Sequence, residues 1–226
     1  HELRTPLAII SGFIETLLTT AKGDEAAQEH FLKIMQDQAA YMSSLIENLL
    51  SLSKIELTQD QRPDEKTDIA KIIEDVQQAL SLRAAEREIT LRTTIEPDLA
   101  PITADSHQIK QVIQNLTDNA IKYGLSKSVI TIKAHLVDSI PGSKSVNVAE
   151  GKAVAIAINN KGPKISPENM ARLTERFYRM QEHKDLNIRG TGLGLSIAKQ
   201  IIIRHHGNIT VTSTSYNGTT FTVYLP

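Results

Sequence analysis

The sequence predicts two consecutive units of different class, an all-α helical hairpin followed by an α+β sandwich. Three observations carry this reading. Apolar residues recur at three- and four-residue steps up to Leu57, the period of amphipathic helices. The stretch 58–67, with Gln59, Asp60, Gln61, Arg62, Pro63, Asp64, Glu65 and Lys66, then turns polar, which reads as a hinge and a domain boundary. After it, helical periods alternate with two-residue alternations, and the last of these flank Asn217-Gly218, a strong hairpin signal. The expected domains are therefore 1–62 and 63–226.

Within the first unit, Leu7, Ile10, Ile14, Leu17 and Leu18 mark one amphipathic helix, which 19–23 interrupts. Asp24 is a suitable N-cap for a second helix running to about Leu57, with Phe31, Met35, Met42, Leu45, Leu49 and Leu52 as a heptad seam. Two helices joined by a short turn cannot bury so long a stripe within one hairpin. The expected solution is a homodimer whose two hairpins form a four-helix bundle. Taken alone, the seam favours a coiled-coil scaffold with no chemistry.

In the second unit, 69–87 is predicted helical, 89–95 a strand, 101–103 short and extended, and Asp105 opens a helix through Tyr123. Strands at 129–137 and 152–159 are expected neighbours, joined by a long surface loop over 138–151 with Pro141, Gly142 and Ser143. A helix over 196–205 and a hairpin of 209–213 with 219–225 complete the unit. Helices on one face of a mostly antiparallel sheet define the α+β sandwich.

The chain has 226 residues, 40% hydrophobic and 23% charged, which excludes a disordered chain. A net charge of -1 provides no basic field for nucleic acid, and none is expected as a partner. Cysteine is absent, so there is no disulfide framework and no thiolate metal site. No apolar run approaches the length that spans a bilayer, so the piece is expected to be soluble. A sequence opening at its own reactive residue is expected to be part of a longer protein.

That reactive residue is His1. His1 and Glu2 set a nucleophilic imidazole beside a carboxylate able to orient its N–H and accept its proton. Thr5 lies one helical turn on, where its hydroxyl would share a face with His1 and hold a water. Pro6 lacks an N–H and would leave the carbonyl of Glu2 unpaired, a kink at the reactive residue. The string His1-Glu2-Leu3-Arg4-Thr5-Pro6-Leu7 resembles the H box of bacterial sensor histidine kinases. That resemblance makes His1 the phosphoacceptor, Glu2 the base and Thr5 the residue of the phosphatase reaction.

Further along, Asn115 and Asn119 are one turn apart, and two amide oxygens on one helix face can hold a hydrated Mg²⁺ that also touches nucleotide phosphates. Lys122 adds positive charge beside them. The string 115–123, ending in Tyr123, resembles the N box of the kinase ATP-binding domain, of the histidine kinase/Hsp90-like type. Gly190-Thr191-Gly192-Leu193-Gly194-Leu195 precedes a helix, so its backbone N–H groups can approach phosphate oxygens. It is similar to the G2 box. Arg176-Phe177-Tyr178-Arg179 looks like the F box, with 180–189 as the lid over ATP.

The family's G1 box expects Asp-x-Gly-x-Gly, where this chain has Asn160, Gly162 and Lys164, followed by Ile165. Asn160 can still accept a hydrogen bond from the adenine amino group, without charge assistance. Lys164 brings a Cβ where Gly permits close approach or positive φ, expected to narrow the pocket or to cost about 1 kcal/mol. The resemblance implies a kinase core that uses ATP and Mg²⁺, autophosphorylates His1 and passes the phosphoryl group to an Asp of a response regulator receiver domain. It also implies a cytoplasmic portion of a protein anchored in the bacterial inner membrane. A pseudokinase or phosphatase-dominant partner, and an ATP-driven clamp, stay open as alternatives. Residues 173–179 look most like phosphate-responsive sensors of the PhoR type.

Overall fold

The computed structural model describes residues 2–58, 61, 63–97, 99–142, 153–181 and 190–226. Helix α1 (Arg4–Leu18) turns through 19–23 into α2 (Glu25–Leu57). Asp24 caps α2, its carboxylate accepting the N–H of Ala27 at 3.0 Å. Phe13 of α1 stacks on Phe31 of α2 with ring centroids 4.9 Å apart, closing the hairpin with an aromatic pair. Pro6 is the third residue of α1 and is buried. The first turn of a helix leaves N–H groups unpaired in any case, so Pro6 breaks no internal bond of α1 as it runs from Arg4.

After the hairpin come β1 (Lys66–Thr67), α3 (Ile69–Ala85), β2 (Thr90–Ile95), β3 (Ile102–Thr103), α4 (Ser106–Tyr123), β4 (Val129–Val137) and β5 (Ala153–Asn160). The short α5 (Pro167–Arg172), α6 (Gly194–Arg204), β6 (Asn208–Thr214) and β7 (Gly218–Leu225) follow. Five strands form one sheet in the order β2-β4-β5-β7-β6, and all neighbours are antiparallel except β2 and β4. Alternate residues Ile130, Ile132 and Ala134 of β4, with Ile156 and Ile158 of β5 and Phe221, Val223 and Leu225 of β7, are buried beneath α3, α4 and α6. One covered face and one wet face are what period-two strands in such a sheet require.

Two elements differ from expectation. Residues 66 and 67, read as hinge, pair with β3, and buried Thr67 donates its hydroxyl to Ala104 O at 2.6 Å. A two-residue strand carries too little pattern to be seen in sequence. Helix α5 is also unforeseen, although Ser166 caps it through the N–H of Asn169 and Pro167 stands at its first position. Of the long loop expected over 138–151, residues 143–151 lie outside the described residues, as do residues 182–189 of the expected lid.

The seam is the larger correction. Leu45 and Leu52, at 0% and 2% exposure, are buried by this one chain, and with Ile55 they join the same apolar core as α4 and α6. A heptad stripe states that a partner surface exists, not which one. In the structure the sandwich takes the C-terminal half of the stripe. What α2 leaves exposed is a second line, Leu32, Ile46, Leu50 and Leu57, beside Leu7, Ile14 and Leu18 of α1.

Candidate active site

A cavity of about 810 Å³ lies between α2, α4, the turn before α6 and the segment after β5. Helix α4 supplies its floor. Asp105 accepts the N–H of Gln108 at 3.0 Å and so fixes where the helix begins. Ile109, Val112, Ile113, Leu116, Ala120 and Ile121 are buried, and that phase turns Asn115, Asn119, Lys122 and Tyr123 to the cavity. At the far end of α4, Arg87 donates to the carbonyls of Ile121, Lys122 and Gly124. These are carbonyls a helix C-terminus leaves without partners.

The Asn115 amide donates to Gly194 O at 3.2 Å, which commits its nitrogen and leaves Oδ1 as the group to offer. Asn119, one turn on, also lines the cavity. Among the described residues no cluster of His, Cys, Asp or Glu can hold a metal ion. Two neutral amides are a donor set for an ion that keeps waters and shares substrate phosphates, the preference of Mg²⁺. Lys122 is not a bare charge: its ammonium stands 2.6 Å from Asp118, which also pairs with Arg83. Burial pushes the Tyr123 phenol up, the Arg179 guanidinium opposing and Asp118 reinforcing, so it stays a protonated donor.

The glycine turn is locked to the segment before it. Phe177 has φ 62° and donates its N–H to Gly192 O at 3.0 Å, while Gly192 has φ 71°. A Cβ on Gly192 would come within 2.7 Å of the Phe177 carbonyl carbon. Left-handed φ at a bulky residue costs about 1–2 kcal/mol, so surrounding structure must hold this pair in place. Sequence pattern gave no sign of that coupling.

At the other end, Asn160 is buried at the end of β5 and donates to Lys161 O at 3.3 Å. Its oxygen is left to accept. The G1 segment is tied to the last hairpin: Ile165 N–H donates to Ser213 Oγ at 2.9 Å, and Ser213 in turn bonds Thr219 Oγ1 at 2.9 Å. Gly218, φ 77°, lets this hairpin approach, since a Cβ there would lie 2.1 Å from Asn160 O. Lys164 lines the cavity, is exposed and is not among the residues with positive φ. The expected backbone strain at Lys164 is therefore absent, because this segment never asks residue 164 for a glycine conformation.

Of the residues singled out in sequence, Asn115, Asn119, Lys122, Tyr123, Asn160, Ile165, Arg179, Gly190, Thr191, Gly192, Gly194 and Leu195 all line the cavity. Gly162 does not; a Cβ there would meet Tyr123 O at 3.0 Å, so it is a packing position beneath the wall. Leu193 is fully buried and belongs to the core. An apolar side chain inside a glycine turn anchors the turn while the glycines face the cavity. Thr5 is exposed in the first turn of α1. His1 lies outside the described residues.

Helix α2 forms a wall that sequence reading missed. Asp37, Ala40, Tyr41, Ser44 and Asn48 line the cavity. Their three- and four-residue spacing was legible as a helix face, but nothing in it named the second unit as what it faces. Burial first, then the Glu2 charge, raises the Tyr41 pKa against the pull of Arg179. Gln111 Nε2 donates to Ser51 Oγ at 3.1 Å, Arg204 Nε to Thr58 O at 3.0 Å, and Arg176 pairs with Glu56. These contacts seat the sandwich on α2.

Residues 1–58 match the His Kinase A (phospho-acceptor) domain, and residues 104–226 match the histidine kinase-, DNA gyrase B- and HSP90-like ATPase family. The chain belongs to the two-component sensor histidine kinases. It is 32% identical to the phosphate regulon sensor protein PhoR of Pseudomonas aeruginosa, across 100% of this chain and 48% of that protein. It is 33% identical to drug sensory protein A of Synechocystis sp., across 98% of this chain and 33% of that protein. The chain thus spans half the length of these relatives or less. Among solved structures, the Acinetobacter baumannii histidine kinase AdeS matches with TM-score 0.72 and 26% identity, over 100% of this chain and 96% of that one. The histidine kinase ThkA, in complex with response regulator TrrA, matches with TM-score 0.73 and 22% identity, over 100% of this chain and 59% of that one.

Proposed function

We propose that this chain is the catalytic core of a histidine autokinase that moves the γ-phosphoryl group of ATP to His1 and then to an aspartate of a response regulator. One observation carries this reading. The cavity that α4 and the glycine turn furnish for a nucleotide is walled on its other side by Asp37, Ala40, Tyr41, Ser44 and Asn48 of α2, the helix against which α1, next to His1 in the chain, packs. Both units therefore contribute to one cavity.

In this reading Asn160 Oδ1 accepts from the adenine amino group and Ile165 covers the base. The Gly190–Gly194 turn offers backbone N–H groups to the phosphates, and Lys122 and Arg179 offset their charge. Asn115 and Asn119 would hold Mg²⁺ through their amide oxygens; the ion supplies charge neutralisation between the phosphates when bound. An imidazole nitrogen of His1 bonds to the γ-phosphorus as the bond to the bridging oxygen breaks, and ADP leaves. Glu2 orients the ring and takes its proton. In the second step a carboxylate oxygen of the regulator bonds to phosphorus and the P–N bond breaks. Thr5, exposed on α1, holds a water for the reverse signal, dephosphorylation of the regulator.

The phosphotransfer domain spans 1–62 and the ATP-binding domain 63–226. The working form is a homodimer, its four-helix bundle closed over the exposed line Leu32, Ile46, Leu50 and Leu57. The chain is the cytoplasmic portion of a protein held in the bacterial inner membrane by segments outside this sequence; among the described residues no helix is long and apolar enough to cross a membrane. The test is incubation of the full-length protein with γ-labelled ATP and Mg²⁺. Acid-labile, base-stable label that His1→Gln abolishes is the expected result. Undiminished labelling of His1→Gln removes His1 as the nucleophile, and no labelling of a parent that binds ATP removes the kinase reading.

A further inference from the structure

The glycine turn is held by side chains from both units. From α4, Asn115 donates to Gly194 O; from α2, Asn48 Nδ2 donates to Thr191 Oγ1 at 3.4 Å and to Ser44 Oγ at 3.4 Å. We propose that Asn48, on the phosphotransfer hairpin, is a positioning residue for nucleotide binding that aims the Thr191 hydroxyl as a donor to a phosphate oxygen. This rests on the reading of the cavity as an ATP site.

A threonine hydroxyl has one proton and two lone pairs. Thr191 Oγ1 accepts from Leu193 N–H at 3.3 Å and from Asn48 at 3.4 Å, which uses both lone pairs. Only the proton remains to be given, and Thr191 lines the cavity. A phosphate oxygen accepts and does not donate, so a hydroxyl held in this sense attracts it. One free to rotate can also present a lone pair and repel it. Asn48 is itself held in place, since Leu45 and Leu52, one turn to either side of it, are buried against the sandwich. The ATP site is on this account complete only when the sandwich sits on α2. By linkage, phosphates on the turn favour that seating by the same factor.

Other contacts between the units separate positioning from mere seating. Ser51 and Gln111 bond each other across the same interface, and neither lines the cavity. Calorimetric titration of the full-length protein with a non-hydrolysable ATP analogue and with adenosine is the test. Asn48→Ala is expected to weaken the analogue about threefold to fivefold, the worth of one neutral hydrogen bond, and to leave adenosine unchanged. Thr191→Ser, which keeps the hydroxyl, is expected to keep the sensitivity to Asn48→Ala; in Thr191→Val, Asn48→Ala is expected to add nothing. Ser51→Ala is expected to stay within about twofold of the parent, less than one such bond is worth. Analogue affinity unchanged in Asn48→Ala, equal weakening of adenosine, or an equal effect of Ser51→Ala would each overturn the proposal. A parent that binds neither ligand would instead overturn the ATP reading of the cavity, and this proposal with it.

Discussion

Truncating Leu45 to alanine tests where the heptad stripe of α2 is spent. Leu45 is 0% exposed within one chain and sits in a core shared with Leu52, Ile55 and the helices of the sandwich. Removing its branched end forfeits the transfer free energy of the lost carbons and leaves a cavity, about 2–5 kcal/mol for a buried leucine. Helix α2 itself survives, since alanine is the best helix former. The loss therefore falls on the seating of the sandwich. Even 2 kcal/mol shifts that equilibrium about thirtyfold. Small-angle scattering should show a larger radius of gyration, and proteases should cut within 59–65 faster, while sedimentation still reports the dimer. A variant that became monomeric with scattering otherwise unchanged would refute this assignment and return Leu45 to the dimer seam.

The complementary change, Leu50→Asp, places a charge in the exposed line and should dissociate the dimer in sedimentation, costing several kcal/mol of association if that line is buried there. Asn160→Asp should tighten ATP about threefold to tenfold in calorimetry, because a charge-assisted bond gains about 1 kcal/mol over a neutral one. The gain is limited by loss of the bond to Lys161 O, and adding Lys164→Gly should relieve no backbone strain, since residue 164 is not in the left-handed region. His205 should make stability fall in acid. It is buried, accepts the Asp105 N–H at Nε2 at 3.0 Å and is bonded through Nδ1 to Ile201 O at 2.8 Å. Burial first lowers its pKa below the ordinary histidine value, the Ile201 carbonyl opposing, with Arg204 and His206 adding to the lowering and Asp105 opposing. The unfolded chain therefore binds the proton more readily, and stability present above about pH 6.5 declines as pH falls toward the lowered folded value. Thermal midpoints of the parent should drop between pH 7.5 and 5.5 by more than those of His205→Gln; equal drops would exclude His205 as the cause.

The sequence by itself determined the longer elements and the part of the cavity wall that α4 and the glycine turn supply. Asp24 and Asp105 each cap the helix that follows them, and Asn217-Gly218 turns the last hairpin, because capping and turn chemistry act over a few residues. Asn115, Asn119, Lys122 and Tyr123 reach one cavity because helical period alone puts them opposite the buried face of α4. Tertiary structure decided what a period cannot name, the surface that each apolar stripe meets. Leu45 and Leu52 satisfy a dimer seam and a docked sandwich equally well on paper, since burial is non-directional and any complementary apolar surface suffices. It also decided which residues of a matched motif face the ligand: Leu193 turned into the core and Gly162 under the wall. The paired positive φ of Phe177 and Gly192, and the reach of Asn48 to Thr191, join residues far apart in the chain. No local pattern encodes such contacts, because they exist only once the units are packed.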